Sequence, residues 1–263
     1  MSKSRVSKKS DSDKSNANKS GTNKSDANKS EKSESEKIPW DKVFTLLDTW
    51  RNERANSRER DPAVSTIAED YRESPVADAP WAILVSTILS LRTKDEVTRV
   101  SSRALLEKAP GPKELILLGE EETARLIYPA GFYRIKAKHL KEIAAILLDK
   151  YQGQVPADFD TLLSLPGVGR KTANLVFIEA FDRDGICVDI HVHRICNRLG
   201  WLKTKDPAAT EMTLREKLPQ KYWKQINKLL VLYGQNVCRP LSPFCSACTI
   251  SEYCPREGVG RSR

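Results

Sequence analysis

Four cysteines stand in a fixed rhythm late in the chain: Cys238, Cys245, Cys248 and Cys254, a C-x6-C-x2-C-x5-C spacing with Pro255 directly after the last. Four thiolates in one short loop can surround a cuboidal iron–sulfur cluster or a single zinc ion. Zinc cages more often show two close Cys pairs, so an iron–sulfur cluster is the first reading and zinc the alternative. A disulfide framework fits poorly. The start of the chain does not read as a secretory signal, and thiols inside a cell stay reduced. Cys187 and Cys196 lie outside the rhythm and read as small core residues. A second segment with chemical potential is Leu165-Pro166-Gly167-Val168-Gly169-Arg170-Lys171-Thr172. Two glycines two apart let the backbone take positive φ and bend sharply. The helix that follows then presents free N–H groups and its positive dipole end, which bind a phosphate without a charged side chain. An ordinary helix–helix turn can use the same glycines; the Arg170-Lys171 that follow favour the phosphate site.

The elements that must position these residues read as helical almost throughout. Val43, Leu46 and Leu47 mark a first short helix, and Trp81, Leu84, Val85, Ile88 and Leu89 recur at helical spacing. Further helices are predicted from about Asp95 through Leu106, and from Ile135 to Tyr151 with Leu140, Ile143, Ala144, Leu147 and Leu148 on one face. Phe159–Ser164 and Lys171–Phe181 flank the glycine turn. Val192, Ile195, Cys196 and Leu199 mark another helix, and Ile226, Leu229 and Leu230 mark one from Tyr222 to Tyr233. Strand alternation is nearly absent, and Pro and Gly punctuate the connectors at Ala109–Pro112 and Pro129–Gly131. The fold class is all-α, with the cysteine loop as a C-terminal appendage. The longest apolar run, Ala79–Leu91, is too short to span a bilayer and reads as a buried helix.

The chain has 263 residues and a formal net charge of +9. An excess of that size favours a polyanionic partner, nucleic acid being the usual one. Part of it sits in residues 1–38, a Lys/Ser/Asn-rich stretch with ten basic and six acidic residues. A near-repeat runs through that stretch: Asn-Ala-Asn-Lys-Ser, Gly-Thr-Asn-Lys-Ser, Asp-Ala-Asn-Lys-Ser. With so little apolar surface to bury, it reads as a disordered tail, a solvated spacer before a weak electrostatic tether.

The stretch Leu165–Asn174, followed by Val188-Asp189-Ile190-His191-Val192 and Arg194-Ile195-Cys196-Asn197-Arg198, resembles the endonuclease III family of helix-hairpin-helix DNA glycosylases that carry a [4Fe–4S] cluster. The cysteine spacing is similar too, and the resemblance runs from about residue 78 to residue 256. It implies a two-lobed fold. Residues 78–183 would form a six-helix barrel with the hairpin; residues 39–77 and 184–263 would form the cluster lobe. One [4Fe–4S] cluster per chain would sit on Cys238, Cys245, Cys248 and Cys254 in a structural role, its binding acting as folding energy. The implied partner is double-stranded DNA with damaged bases or abasic sites, bound across the cleft between the lobes by a monomer. No membrane is involved, and the setting is intracellular with DNA (cytoplasm or nucleoid in a prokaryote).

Lys171 stands in the first turn of the second hairpin helix, where the family has its nucleophile. A lysine must be uncharged to attack, and a helix N-terminus with Arg170 alongside disfavours the ammonium. Such an amine can attack C1′ of a flipped nucleotide, expel the base and form a Schiff base. Elimination of the 3′ phosphate then nicks the strand. A phosphate-contacting lysine is the alternative. Asp189, eighteen residues on, precedes a helix and would cap it. The resemblance adds a catalytic role: stabilising positive charge at C1′ or managing protons for Lys171.

Further DNA contacts are implied at Leu165, Gly167, Gly169, Arg170 and Thr172 of the hairpin, and at His191, which is otherwise a structural histidine. Phe132 aligns with an apolar wedge that fills the gap left by the flipped base; its alternative is a core position. Arg92 stands where the family commonly has Gln, opposite the lesion. A guanidinium offers donors only, whereas an amide also offers an acceptor, so the opposite-base preference does not carry over. Between the first two cysteines the family often has several basic residues, and this chain has Arg239 alone.

Three function classes follow. The first is a bifunctional glycosylase and lyase acting on oxidised pyrimidines. The second is a monofunctional adenine or thymine mismatch glycosylase, disfavoured by Lys171; adenine-specific relatives also usually carry a further C-terminal domain, while this chain continues only nine residues past Cys254. The third is a non-catalytic DNA-binding module, which would leave Lys171, Asp189 and the cysteine cage without a purpose.

Overall fold

The computed structural model describes residues 38–53, 62–74 and 77–263. The expected tail, residues 1–38, lies outside them apart from Ile38. Twelve α-helices and two 3-10 turns occur among the described residues, with no strand. The helices are α1 Trp40–Glu53, α2 Ala63–Tyr71, α3 Ala79–Ser90, α4 Asp95–Lys108, α5 Pro112–Leu118, α6 Glu120–Ile127, α7 Tyr133–Tyr151, α8 Phe159–Ser164, α9 Arg170–Phe181, α10 Ile190–Arg198, α11 Pro207–Lys217 and α12 Trp223–Asn236.

Helix α3 is apolar on every side, and all of Trp81–Leu89 is buried. It is the hub of the main core: α2, α4, α7 and α9 all pack on it. Trp81 sits fully inside and spends its indole N–H on the Ala109 carbonyl at 3.2 Å, which removes the desolvation cost of a buried donor. The long α7 contributes Leu140, Ile143, Ala144 and Leu147 to the same core. Leu148, expected on that face, is exposed instead, since it lies one residue round the helix from the stripe.

A second apolar centre is aromatic. Phe44 of α1 stacks on Tyr222 at 3.9 Å between ring centroids, and Trp40 meets Trp201 edge-on at 4.6 Å. Trp50 packs edge-on against Tyr233 of α12 at 4.7 Å. Aromatic pairs in these geometries add about 0.5–1.5 kcal/mol each beyond the area they bury. The helix at the front of the described chain is thus held to the helix before the cysteine loop.

Residues 78–183 hold seven helical segments, with Gly119 (φ 81°) standing between α5 and α6. And α2, expected with the cluster lobe, packs on α3, α4 and α9; its Val64, Ile67 and Ala68 are part of the main core. No described helix is long and apolar enough to cross a membrane.

Candidate active site

The glycine segment turns as its composition requires, but its two glycines do different jobs. Pro166 and Gly167 occupy the middle of a turn closed by the Val168 N–H donating to the Leu165 carbonyl at 3.1 Å. Gly167 has φ 72°, the pairing of Pro and left-handed Gly typical of a type II turn. A Cβ there would lie 2.4 Å from His139 Nδ1, so space forbids it as well. Gly169 was expected to share the positive φ. It is instead extended (φ −97°, ψ 177°) and has nothing within 4 Å of where a Cβ would be. It begins α9 without a side-chain cap, so no side chain at that position answers the first N–H groups of the helix. Leu165 and Thr172 are buried.

Arg170 is engaged by α11. Its Nε donates to Glu211 Oε2 at 2.9 Å and its Nη2 to Oε1 at 2.7 Å, and the guanidinium lies over the Phe159 ring. Glu211 is 3 % exposed. Burial alone would push its carboxyl up, but hydrogen bonds from Arg170 and Arg215 outweigh this and hold it below the ordinary range. The Arg170 charge is therefore matched by α11, and it does not act as a free cation beside Lys171.

Lys171 and Asp189 come together. Lys171 Nζ stands 3.7 Å from Asp189 Oδ2, with the lysine side chain 40 % exposed and the aspartate 9 %. The two aspartate oxygens divide their work. Oδ1 accepts from the N–H groups of His191 at 2.8 Å and Val192 at 3.0 Å, capping α10. Oδ2 is left to face the amine. The capping bonds fix the rotamer, so the cap and the carboxylate facing the lysine are one arrangement rather than alternatives. Both residues line an open cleft of about 470 Å³, shared with Ser90, Arg92, Thr93, His191 and Gln235. The start of α2, at Pro62–Ser65, closes one side of it, a contribution with no sequence signal.

His191 is held from behind. Its Nδ1 lies 3.0 Å from Arg194 Nη2, and the ring also hydrogen-bonds the Gly234 backbone. Burial moves its pKa down, favouring the neutral ring. It also packs on Gly234, where a Cβ would come within 2.5 Å of Nδ1. Phe132 is no core residue: it is 56 % exposed. It and Arg92 both hold left-handed backbone (φ 57° and 52°), and the Arg92 guanidinium lies 5.4 Å from the centre of the Phe132 ring.

Cys187 and Cys196 are fully buried, as expected of core residues, and burial pushes the Cys187 thiol up to about 12. The other four thiols gather around the C-terminal turn, each of Cys238, Cys245 and Cys248 close enough to Cys254 to act on its ionisation. Among the described residues no three His, Cys, Asp or Glu side chains close around a single ion. Donors approach two of the sulfurs: Tyr233 Oη at 3.2 Å from Cys248 Sγ, and Arg198 Nη1 at 3.4 Å from Cys238 Sγ. Helix α10 also grips the loop through main-chain carbonyls. Arg194 donates to Cys238 O at 2.9 Å, and Arg198 to Arg239 O and Pro240 O, both at 2.7 Å.

Sequence reasoning missed Lys136. It sits one turn before Leu140 on the buried stripe of α7 and is only 5 % exposed. A lysine in register with an apolar face was the available signal.

The pattern of the HhH-GPD superfamily of base excision DNA repair proteins matches residues 85–220. The endonuclease III of Thermotoga maritima is 44% identical over 187 residues, spanning 70% of this chain and 88% of that protein. The chloroplastic endonuclease III homolog 1 of Arabidopsis thaliana is 44% identical over 190 residues, and the match covers 50% of its length. Among solved structures, a trapped endonuclease III–DNA covalent intermediate superposes with a TM-score of 0.68 at 30% identity, covering 83% of this chain and 97% of the other. The helices, the hairpin and these likenesses agree: the chain belongs to the endonuclease III family of HhH-GPD base excision DNA repair glycosylases.

Proposed function

We propose that this glycosylase is bifunctional, excising oxidised pyrimidines from double-stranded DNA and then cutting the strand at the abasic site. The observation that carries the reading is the Lys171 amine facing the free oxygen of a buried, doubly hydrogen-bonded carboxylate, 3.7 Å away, in an open cleft. Lys171 Nζ bonds to C1′ of a nucleotide turned into the cleft as the C1′–N bond to the base breaks. The base leaves with that electron pair and takes up a proton. The sugar ring opens to a Schiff base, and loss of a C2′ proton expels the 3′ phosphate. Asp189 Oδ2 stabilises the positive charge that grows at C1′ and can hold the proton shed by Nζ. The uncapped N-terminus of α9 beyond Gly169 receives a phosphate of the bent strand.

Cys238, Cys245, Cys248 and Cys254 hold one [4Fe–4S] cluster. The donor set is all sulfur, and Tyr233 and Arg198 offer hydrogen bonds suited to thiolates. The cluster would supply no step above and would hold the loop in shape, while Arg194 and Arg198 tie that loop to α10. The protein works as a monomer inside the cell, on DNA, with residues 39–53 joined to the cluster lobe. Borohydride trapping on abasic-site DNA tests the central claim. Wild type should form a covalent adduct and Lys171→Ala none; an adduct of equal yield in Lys171→Ala would overturn it.

A further inference from the structure

Lys136 takes no part in that chemistry, yet it is one of three charged residues buried among the described residues. Its ammonium has three donors and spends all of them: on Leu89 O at 2.8 Å, Leu91 O at 2.6 Å and Thr93 Oγ1 at 2.9 Å. Leu89 and Leu91 end helix α3, so the ammonium answers carbonyls that a helix C-terminus leaves without partners and whose dipole favours a cation. Leu91 and Thr93 are also the two neighbours of Arg92. At the other end of the same residue, the Lys136 main-chain N–H donates to the Phe132 carbonyl at 3.0 Å. Thr93 Oγ1 accepts a further bond, from the Gly131 N–H at 3.1 Å. The two loops then meet so closely that a Cβ on Gly131 would fall 2.3 Å from the Arg92 carbonyl oxygen. The outcome is the pair already noted, Arg92 over the Phe132 ring, both exposed and both left-handed.

We propose that Lys136 is a positioning residue that locks the Arg92 and Phe132 loops into one two-part wedge, so that the cation and the ring enter the gap left by a flipped nucleotide as a unit. The inference rests on the DNA reading given above. Burial brings the Lys136 ammonium down to about 8, which marks how costly the site is to charge. Three well-placed acceptors compensate for that cost, and a hydrophobic residue would be the simpler choice if packing were the only need. A wedge built from two side chains on two loops needs the loops fixed against each other, because an error of about 1 Å in placement is enough to cost a large factor in rate.

The test is a ratio. An abasic-site oligonucleotide is cleaved alone and annealed to a complement carrying 2-aminopurine opposite the site. The single strand has no orphaned base and no gap to fill, so the wedge matters only in the duplex. Lys136→Met keeps the length and volume of the stem without its donors. Gly131→Ala forces the loops apart while leaving Lys136 in place. Each should lower the duplex-to-single-strand ratio about tenfold and suppress the 2-aminopurine fluorescence that reports unstacking. In a double-mutant cycle, Phe132→Ala should add nothing to the ratio already lost in Lys136→Met. Equal losses on both substrates, or additive losses in the cycle, would show Lys136 to be structural only. If Lys136→Met fails to fold, Gly131→Ala decides alone: an unchanged ratio overturns the proposal. Failure of the lysine chemistry looks different, since wild type itself would then trap no adduct on either substrate.

Discussion

At the hairpin the backbone goes left-handed on a glycine, Gly167; at the loops beside it the same conformation falls on an arginine and a phenylalanine. Holding an L-residue there costs roughly 1–2 kcal/mol, and glycine would remove the cost. On the DNA reading proposed above, the difference separates two ways of meeting a ligand. The hairpin offers its main chain, so a bare α-carbon is an advantage and a Cβ would strike His139. The wedge offers side chains, so the strain is retained and met with hydrogen bonds from Lys136. Gln152 and Asp182 are left-handed too, but as helix C-caps; Arg92 and Phe132 are the pair in which the conformation sets two exposed side chains against each other.

This contrast can be broken at several points. The largest effect belongs to the hairpin helix. Lys171→Ala should lose borohydride trapping and strand cleavage together, to background, on gels of abasic-site DNA. Next is Asp189→Asn. Its amide oxygen can still accept the His191 and Val192 N–H groups, so thermal stability should hold, while base excision measured in single turnover slows about a hundredfold or more. Binding to lesion DNA should survive. If Asp189→Asn unfolds the protein and turnover per folded molecule is unchanged, the carboxylate is a cap and nothing else.

Two substitutions address the glycine contrast itself. Gly167→Ala combines a left-handed penalty with a contact at 2.4 Å, and should cost about 2 kcal/mol or more, seen as a fall in Tm of several degrees. Phe132→Gly should leave stability within about 1 kcal/mol of wild type, because relief of strain offsets the flexibility of glycine, yet duplex cleavage should drop. Destabilisation of both alike would erase the distinction. The smallest effect is at Arg170. Its charge is already met by Glu211, so Arg170→Gln should change the slope of log affinity against log salt by clearly less than the ~0.9 of one full phosphate contact. Its cost should appear in stability instead, since Arg215 alone then faces a buried carboxylate.

The sequence carried the frame of this molecule further than its details. Helical periodicity was plain in α3, α7 and α12, whose apolar residues recur over many turns. It was faint in α2, α5, α6 and α11. These are short, or as in α11 bury polar groups such as Thr210 and Glu211 that no hydropathy pattern registers. The placement of Lys171, Asp189 and the four cysteines was legible because local spacing fixes a helix start, a helix cap and a loop. Arg170 was misjudged for the opposite reason, its partner lying 41 positions away on another helix. Lys136 was overlooked because long side chains on a buried stripe usually snorkel outward, and only the packed loops reveal that this one points in.

Helix α10 carries Asp189 at its front and the two arginines that hold the cysteine loop towards its back. Over nine residues it is a rod of about 14 Å. A rod pinned at both ends behaves as a lever, so whatever slackens the loop end is felt as a tilt at the carboxylate. Unloading the cysteine cage should therefore blunt base excision before the barrel melts, and thermal scans of cage-loaded and cage-stripped protein would separate the two events.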